Sequence, residues 1–193
     1  MCIRDRITTG AEHILVIGTD TLSNITDWTD RSTAILFADG SGSMVLSATD
    51  GPGNLLSWSL DSDGSLERLL YAEHYGGKLT MIGKEVFRGA VKYMVETSND
   101  ALAKAGVTID DISLVVPHQA NIRIIEAACR RLNAPMDKVA VVLDHTGNTS
   151  SASIPLAFVE AEEQGRIQAG DLMLMTGFGA GMSSASAVIR WDP

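Results

Sequence analysis

The sequence predicts an α/β fold in which a mixed, mostly parallel sheet is layered with helices. Three observations carry that expectation. Short apolar runs alternate with longer stretches that keep helical spacing. Beyond Gly53 the order reads strand, helix, strand, helix, strand, helix, strand, strand, and such alternation builds a largely parallel sheet. The two closing strands lie so near each other in sequence that they must pair antiparallel, which makes the sheet mixed.

The elements follow in order. Ile14-Leu15-Val16-Ile17-Gly18 reads as a buried strand. Ala34–Phe37 and Ser43–Leu46 read as two more, joined by Ala38-Asp39-Gly40-Ser41-Gly42, whose residues suit a tight turn. Asp50-Gly51-Pro52-Gly53 is the strongest punctuation in the chain and marks a boundary, giving units over 1–51 and 52–193. Asn54–Leu60 reads as a strand, followed by a polar loop through Gly77. From Gly83 to Ala105, Val86, Phe87, Ala90, Val91, Met94, Val95 and Leu102 recur at helical intervals. Ile112–Val116 reads as a strand. Asn121–Leu132 reads as a helix with Ile122, Ile125, Cys129 and Leu132 on one stripe. Val139–Leu143 is a third strand candidate, and Ser151–Gln164 a helix stopped by Gly165. Leu172–Met175 and Ala185–Trp191 close the sheet, connected through Gly177-Phe178-Gly179-Ala180-Gly181.

At 193 residues, 45% hydrophobic and 20% charged, the chain has the composition of a globular protein able to bury a core. Aromatics are only 5%, so Val, Ile, Leu, Ala and Met must build that core. A net charge of −9 argues against nucleic acid as a partner. No apolar run approaches the roughly 18 residues that span a bilayer, and Met1–Arg6 lacks the apolar stretch of a signal peptide. Two cysteines, Cys2 and Cys129, show no pairing pattern, which suggests a reducing, cytoplasmic setting.

The chemistry concentrates at two strand-to-helix junctions. Pro117 lacks an N–H and disfavours helix before it, so it ends a strand and presents His118 at the sheet edge. Asn148 stands 30 positions on (148 − 118), in Gly147-Asn148-Thr149-Ser150. Taken singly, His118 reads as a satisfied turn histidine and Asn148 as a helix cap. Taken together, each follows a strand of one sheet, where α/β proteins bind ligands, and a His and an Asn can grip one carbonyl oxygen. The glycine run at Gly177–Gly181 has no following helix and no lysine, so it reads as a close-approach loop or a source of N–H donors rather than a phosphate cradle. Cys129, mid-helix on an apolar stripe, reads as structural. Asp144-His145 alone is too little for a metal site. Arg123, Arg130 and Arg131 share one helix and form either a solvated face or a dock for an acidic partner.

These motifs carry a resemblance. From about Gly10 to Trp191 the chain resembles the β-ketoacyl-[acyl-carrier-protein] synthase III family of the thiolase superfamily. The resemblance rests on Val116-Pro117-His118-Gln119-Ala120-Asn121-Ile122-Arg123-Ile124, Gly147-Asn148-Thr149-Ser150-Ser151-Ala152-Ser153-Ile154-Pro155, Phe37-Ala38-Asp39-Gly40-Ser41-Gly42 and the Gly177–Gly181 run. It implies a thiolase-like fold, present as a complete C-terminal half (52–193) behind the tail of an N-terminal half. It implies an acyltransferase of fatty acid biosynthesis, condensing an acyl-CoA primer with malonyl-acyl carrier protein. A cysteine takes the acyl group in this family, malonyl then loses CO2, and His and Asn stabilise the enolate; His118 and Asn148 match that pair. Arg31 matches a contact to the CoA adenine. Phe37, Met81 and Phe87 match the acyl and pantetheine tunnel, as do Ala120, Asn121 and Gly179. Arg123, extended by Arg130 and Arg131, matches the dock for acidic acyl carrier protein. The coenzyme A thioester is a substrate, and neither a cofactor nor a metal is implied. Family members are homodimers without nucleic-acid or membrane partners.

Lys84 and Ser184 depart from the family's usual Asn and Trp near the tunnel. The family nucleophile sits at a helix N-terminus well upstream of the strand matching Ile14–Gly18. Cys2 precedes Gly18 by only 16 residues (18 − 2), so it is not that nucleophile. Met1–Arg6 matches nothing in the family, and a truncated or mis-joined start is expected. The chain alone is expected to be inactive in condensation, with uncovered apolar surface in residues 1–50 that leaves it poorly soluble or marginally stable. Two other readings are a related condensing enzyme of polyketide, quinolone or hydrocarbon synthesis, and a non-catalytic module that binds acyl carrier protein.

Overall fold

A computed structural model describes residues 10–73 and 76–192. Its main sheet holds four strands in the order β3-β8-β7-β6: β3 (Leu55–Ser62), β8 (Ser183–Arg190), β7 (Leu172–Gly179) and β6 (Leu114–Pro117). β6 and β7 are parallel, whereas β7–β8 and β3–β8 are antiparallel. A parallel bridge from Val115 to Val139 extends the β6 side. The sheet is therefore mixed as expected, although parallel pairings do not dominate it.

Alternation along β6 and β7 sends neighbouring side chains to opposite faces. Val115 and Leu174 meet α2 (Gly83–Ala105) and α3 (Ile122–Leu132) in one core, with Ala101, Ile125 and Cys129. Leu114, Val116 and Met173 point the other way, onto Ala157, Phe158 and Ala161 of α5 (Ser153–Glu163). α2 begins and ends where the sequence places it. It stops at Gly106, whose φ of +70° is left-handed and whose N–H caps Ala103 and Leu102. On α3 the expected stripe holds except at Ile122, which is exposed, and Ile124 and Ala128 pack instead on Ala90, Val91 and Met94 of α2.

A second layer covers the far side of α5. β1 (His13–Asp20) and β2 (Gly40–Ser47) pair antiparallel, and β2 packs on α5. Both strands also contact the 3-10 turn Ser150–Ala152 that leads into α5. The order of layers is thus α2 and α3, main sheet, α5, then β1–β2. A 3-10 turn at Gly64–Leu69 and β4 (Leu70–Ala72) form within what the sequence suggested was only a polar loop, and β4 pairs with β5 (Leu79–Met81) just beyond it.

Three expected elements differ. Ala34–Phe37 is not a strand: the four-residue helix α1 (Arg31–Ala34) occupies its start, and Phe37 makes only a parallel bridge to Asn148. Val139–Leu143 is not a strand either, since only Val139 bridges and the four-residue helix α4 (Leu143–Thr146) begins at Leu143. Val139, Ala140 and Val142 are buried without a second ladder to join, whereas Ile35 of the first run is exposed. Gly177–Gly179 lies inside β7 and pairs with β8, leaving only residues 180–182 as the turn. The readings of Met1–Arg6 and Cys2 fall outside the described residues.

Candidate active site

β6 ends at Pro117, and the His118 N–H continues its parallel ladder by donating to the Thr176 carbonyl at 2.8 Å. The ring is held on three sides. Nδ1 lies 2.6 Å from Ser153 Oγ, and the ring of Phe178 stands edge-on at 5.5 Å. Gly177 sits beneath, where an added Cβ would come within 3.3 Å of the His118 Cβ. Burial pushes the imidazole down to about 4, so at neutral pH it is uncharged. Nε2 has no protein partner among the described residues.

Gln119 is fully buried, and its carboxamide takes the place of a missing strand residue. Nε2 donates to Pro117 O at 2.8 Å and Ala140 O at 3.1 Å, while Oε1 accepts from Val142 N at 3.0 Å. Ala140 O and Val142 N flank Val141 as a parallel neighbour's partners would. The side chain thus carries the pairing past the end of β6 and anchors the chain that leads to Asn148.

Asn148 is 8% exposed. Its backbone N–H donates to Leu36 O at 3.0 Å and its C=O accepts from Ala38 N–H at 2.9 Å, so the segment around Phe37 clips it in place. Its Oδ1 accepts from Ser150 N–H at 3.0 Å, which leaves Nδ2 without a protein acceptor among the described residues. Two uncommon conformations bracket it. Gly147 has φ +68° with ψ −169°, and a Cβ there would meet Ala38 Cβ at 2.9 Å. Ser150 has φ +52°, costly for a residue with a side chain.

His118 and Asn148 line one cavity of about 1110 Å³. Phe37, Met81, Phe87, Ala120, Asn121 and Gly179 line it too, as does Arg123. Asn121 also caps α3, its Oδ1 accepting from Arg123 N–H at 2.9 Å, so the cap role and a cavity position coincide. Arg31 stands exposed on α1, outside that lining, and Arg130 and Arg131 are exposed at the far end of α3. None of these four arginines forms an ion pair among the described residues. Cys129 is buried between α3 and the sheet, its thiol pushed up to about 11 by burial. His145 sits between Asp144 at 2.9 Å and Glu160 at 2.8 Å, a surface link from α4 to α5. Ser153 and Gln119 are the two residues that sequence reasoning left unassigned. No local pattern marks them, since each stands among other polar residues.

The family model described as 3-oxoacyl-[acyl-carrier-protein (ACP)] synthase III, C terminal, matches residues 102–191, and a second one for 3-oxoacyl-[acyl-carrier-protein (ACP)] synthase III matches 2–64. The chain belongs to the 3-oxoacyl-[acyl-carrier-protein] synthase III family. A β-ketoacyl-[acyl-carrier-protein] synthase III of Staphylococcus saprophyticus is 49% identical over 180 residues, 93% of this chain and 58% of that protein. Its counterpart in Geobacillus kaustophilus is 47% identical over 186 residues, 96% of this chain and 59% of that one. The crystal structure of the Aquifex aeolicus synthase III superposes with a TM-score of 0.94 at 43% identity, covering 98% of this chain and 62% of that one. The chain spans about three fifths of the length of these synthase III relatives.

Proposed function

We propose that this chain carries the decarboxylating part of a synthase III condensing site. In the whole protein it would join an acyl-CoA primer to malonyl-acyl carrier protein in fatty acid biosynthesis. The observation that supports this best is the pair of nitrogens on one cavity, His118 Nε2 and Asn148 Nδ2, that have no partner among the described residues. Bound as a thioester, a malonyl group loses CO2 when the electron pair of its Cα–carboxylate bond moves onto the thioester carbonyl. The oxygen gains the negative charge. Two N–H donors fixed before reaction stabilise that charge without reorganising, and an uncharged imidazole serves as a donor.

Phe37, Met81 and Phe87 would line the acyl and pantetheine path, with Ala120, Asn121 and Gly179 along the arm. Arg31 would meet the CoA adenine outside the cavity. Arg123 at the cavity rim, continued by Arg130 and Arg131, would draw in an acidic acyl carrier protein, with its main effect on the association rate. A homodimeric, cytoplasmic parent with residues 52–193 as its C-terminal half completes the reading.

The test uses malonyl-CoA and the chain itself, following acetyl-CoA release. His118→Ala and Asn148→Ala should each lower the rate about 10²-fold or more, the usual loss for one oxyanion donor. Unchanged decarboxylation in either folded variant overturns the proposal.

A further inference from the structure

We infer that Ser153 fixes His118 in the tautomer that carries its proton on Nε2, so that the ring meets the cavity as a hydrogen-bond donor. The use of that donor rests on the condensing reading above; the location of the proton does not.

Donors and acceptors around the ring must balance. Among the described residues Ser153 Oγ has two hydrogen-bond partners, His118 Nδ1 at 2.6 Å and the Gln119 backbone N–H at 3.3 Å. The amide can only donate. If the ring also donated through Nδ1–H, Oγ would receive two hydrogens and its own O–H would have no acceptor among the described residues. Ser153 is fully buried, so water cannot supply one. An unmade buried donor loses its full solvation, a cost that outweighs the small intrinsic preference between imidazole tautomers. The other arrangement satisfies every group: Gln119 N–H to Oγ, Ser153 O–H to Nδ1, and Nε2–H toward the cavity. The imidazolium fails on the same ground, because it too places a hydrogen on Nδ1, and burial already disfavours it.

The fold holds this triplet in place. Ser153 is the first residue of α5, positioned by the preceding 3-10 turn and left-handed Ser150. Gln119 is locked by its three carboxamide bonds. Ser153 borders the same cavity, but its hydroxyl is taken up by His118 and Gln119, so it acts through the ring as a positioning residue.

The deciding measurement is a long-range 1H–15N correlation spectrum of the imidazole rings in the 15N-labelled chain at neutral pH, with His118→Gln to assign the signals. Nδ1 should resonate as an unprotonated nitrogen and Nε2 as a protonated one, with a tautomer ratio of at least about tenfold. Ser153→Ala should reduce that ratio several-fold, and Ser153→Thr, which keeps the hydroxyl, should restore it. A protonated Nδ1 in the native chain overturns the inference. So does an unchanged ratio in Ser153→Ala whose amide spectrum is otherwise native. Should Ser153→Ala fail to fold, the native ring spectrum and Ser153→Thr decide the matter. Failure of the condensing reading would appear instead as unaltered decarboxylation in His118→Ala, with the ring spectrum as described.

Discussion

His118 couples the site to acid stability. Its ring titrates near 6.5 when unfolded but is pushed down to about 4 by burial in the fold. Between those values the unfolded chain binds the extra proton, so the stability this group contributes is complete above about pH 6.5 and is lost as pH falls through about 4. His145 acts in the opposite sense: Glu160 and then Asp144 raise its pKa, so its contribution is present in acid and fades as pH rises. Urea midpoints at about pH 7 and about pH 4.5 should therefore differ less in His118→Gln than in the native chain, with His145 common to both. A second residue-scale expectation concerns Gln119. Gln119→Ala strands Ala140 O and Val142 N in the interior and should cost about 1–3 kcal/mol in a denaturant titration. His118 and Asn148 were legible because Pro117 and Gly147 announce the turns that present them. Ser153 and Gln119 were not, because a small hydroxyl or a buried amide acquires its meaning only from a partner more than twenty residues away.

At the scale of elements, β1 and β2 come against residues 151–155 so closely at Gly18 and Gly42 that these two positions require glycine. A Cβ on Gly18 would lie 2.6 Å from the Ser151 carbonyl oxygen, and one on Gly42 would lie 2.6 Å from the Pro155 Cβ. Gly18→Ala and Gly42→Ala should each destabilise by about 1–3 kcal/mol through overpacking. Gly53→Ala, with nothing within 4 Å, should remain within about 0.5 kcal/mol of native in the same assay. The three long helices were easiest to read, since each shows an apolar period ended by a residue suited to left-handed φ: Gly106 after α2, Asn133 after α3, Gly165 after α5. Strands were harder. The runs Ala34–Phe37 and Val139–Leu143 have strand composition, yet each contributes a single bridge residue, because ladder formation depends on a neighbour that no local pattern records.

Across the whole molecule, the outer face of β1–β2 stands out. Leu15 and Val45 are paired partners, 58% and 62% exposed, and Ile17 beside them is 61% exposed. Trp28 and Ile35 are also exposed, at 63% and 73%. A face of this kind drives association. Light scattering should show the chain associating with rising concentration, and Leu15→Lys combined with Val45→Glu should suppress this while the circular dichroism stays native. The layered α/β architecture was legible from element order alone; the exposure of this face was not, since the same alternation describes a strand covered on either side. The Phe37–Asn148 clip has a kinetic consequence. It joins positions 111 residues apart (148 − 37), a closure far longer than any that forms the helices. On refolding, the proposed malonyl-CoA decarboxylation should lag behind the recovery of helical signal, and on gentle denaturation it should be the first property to vanish.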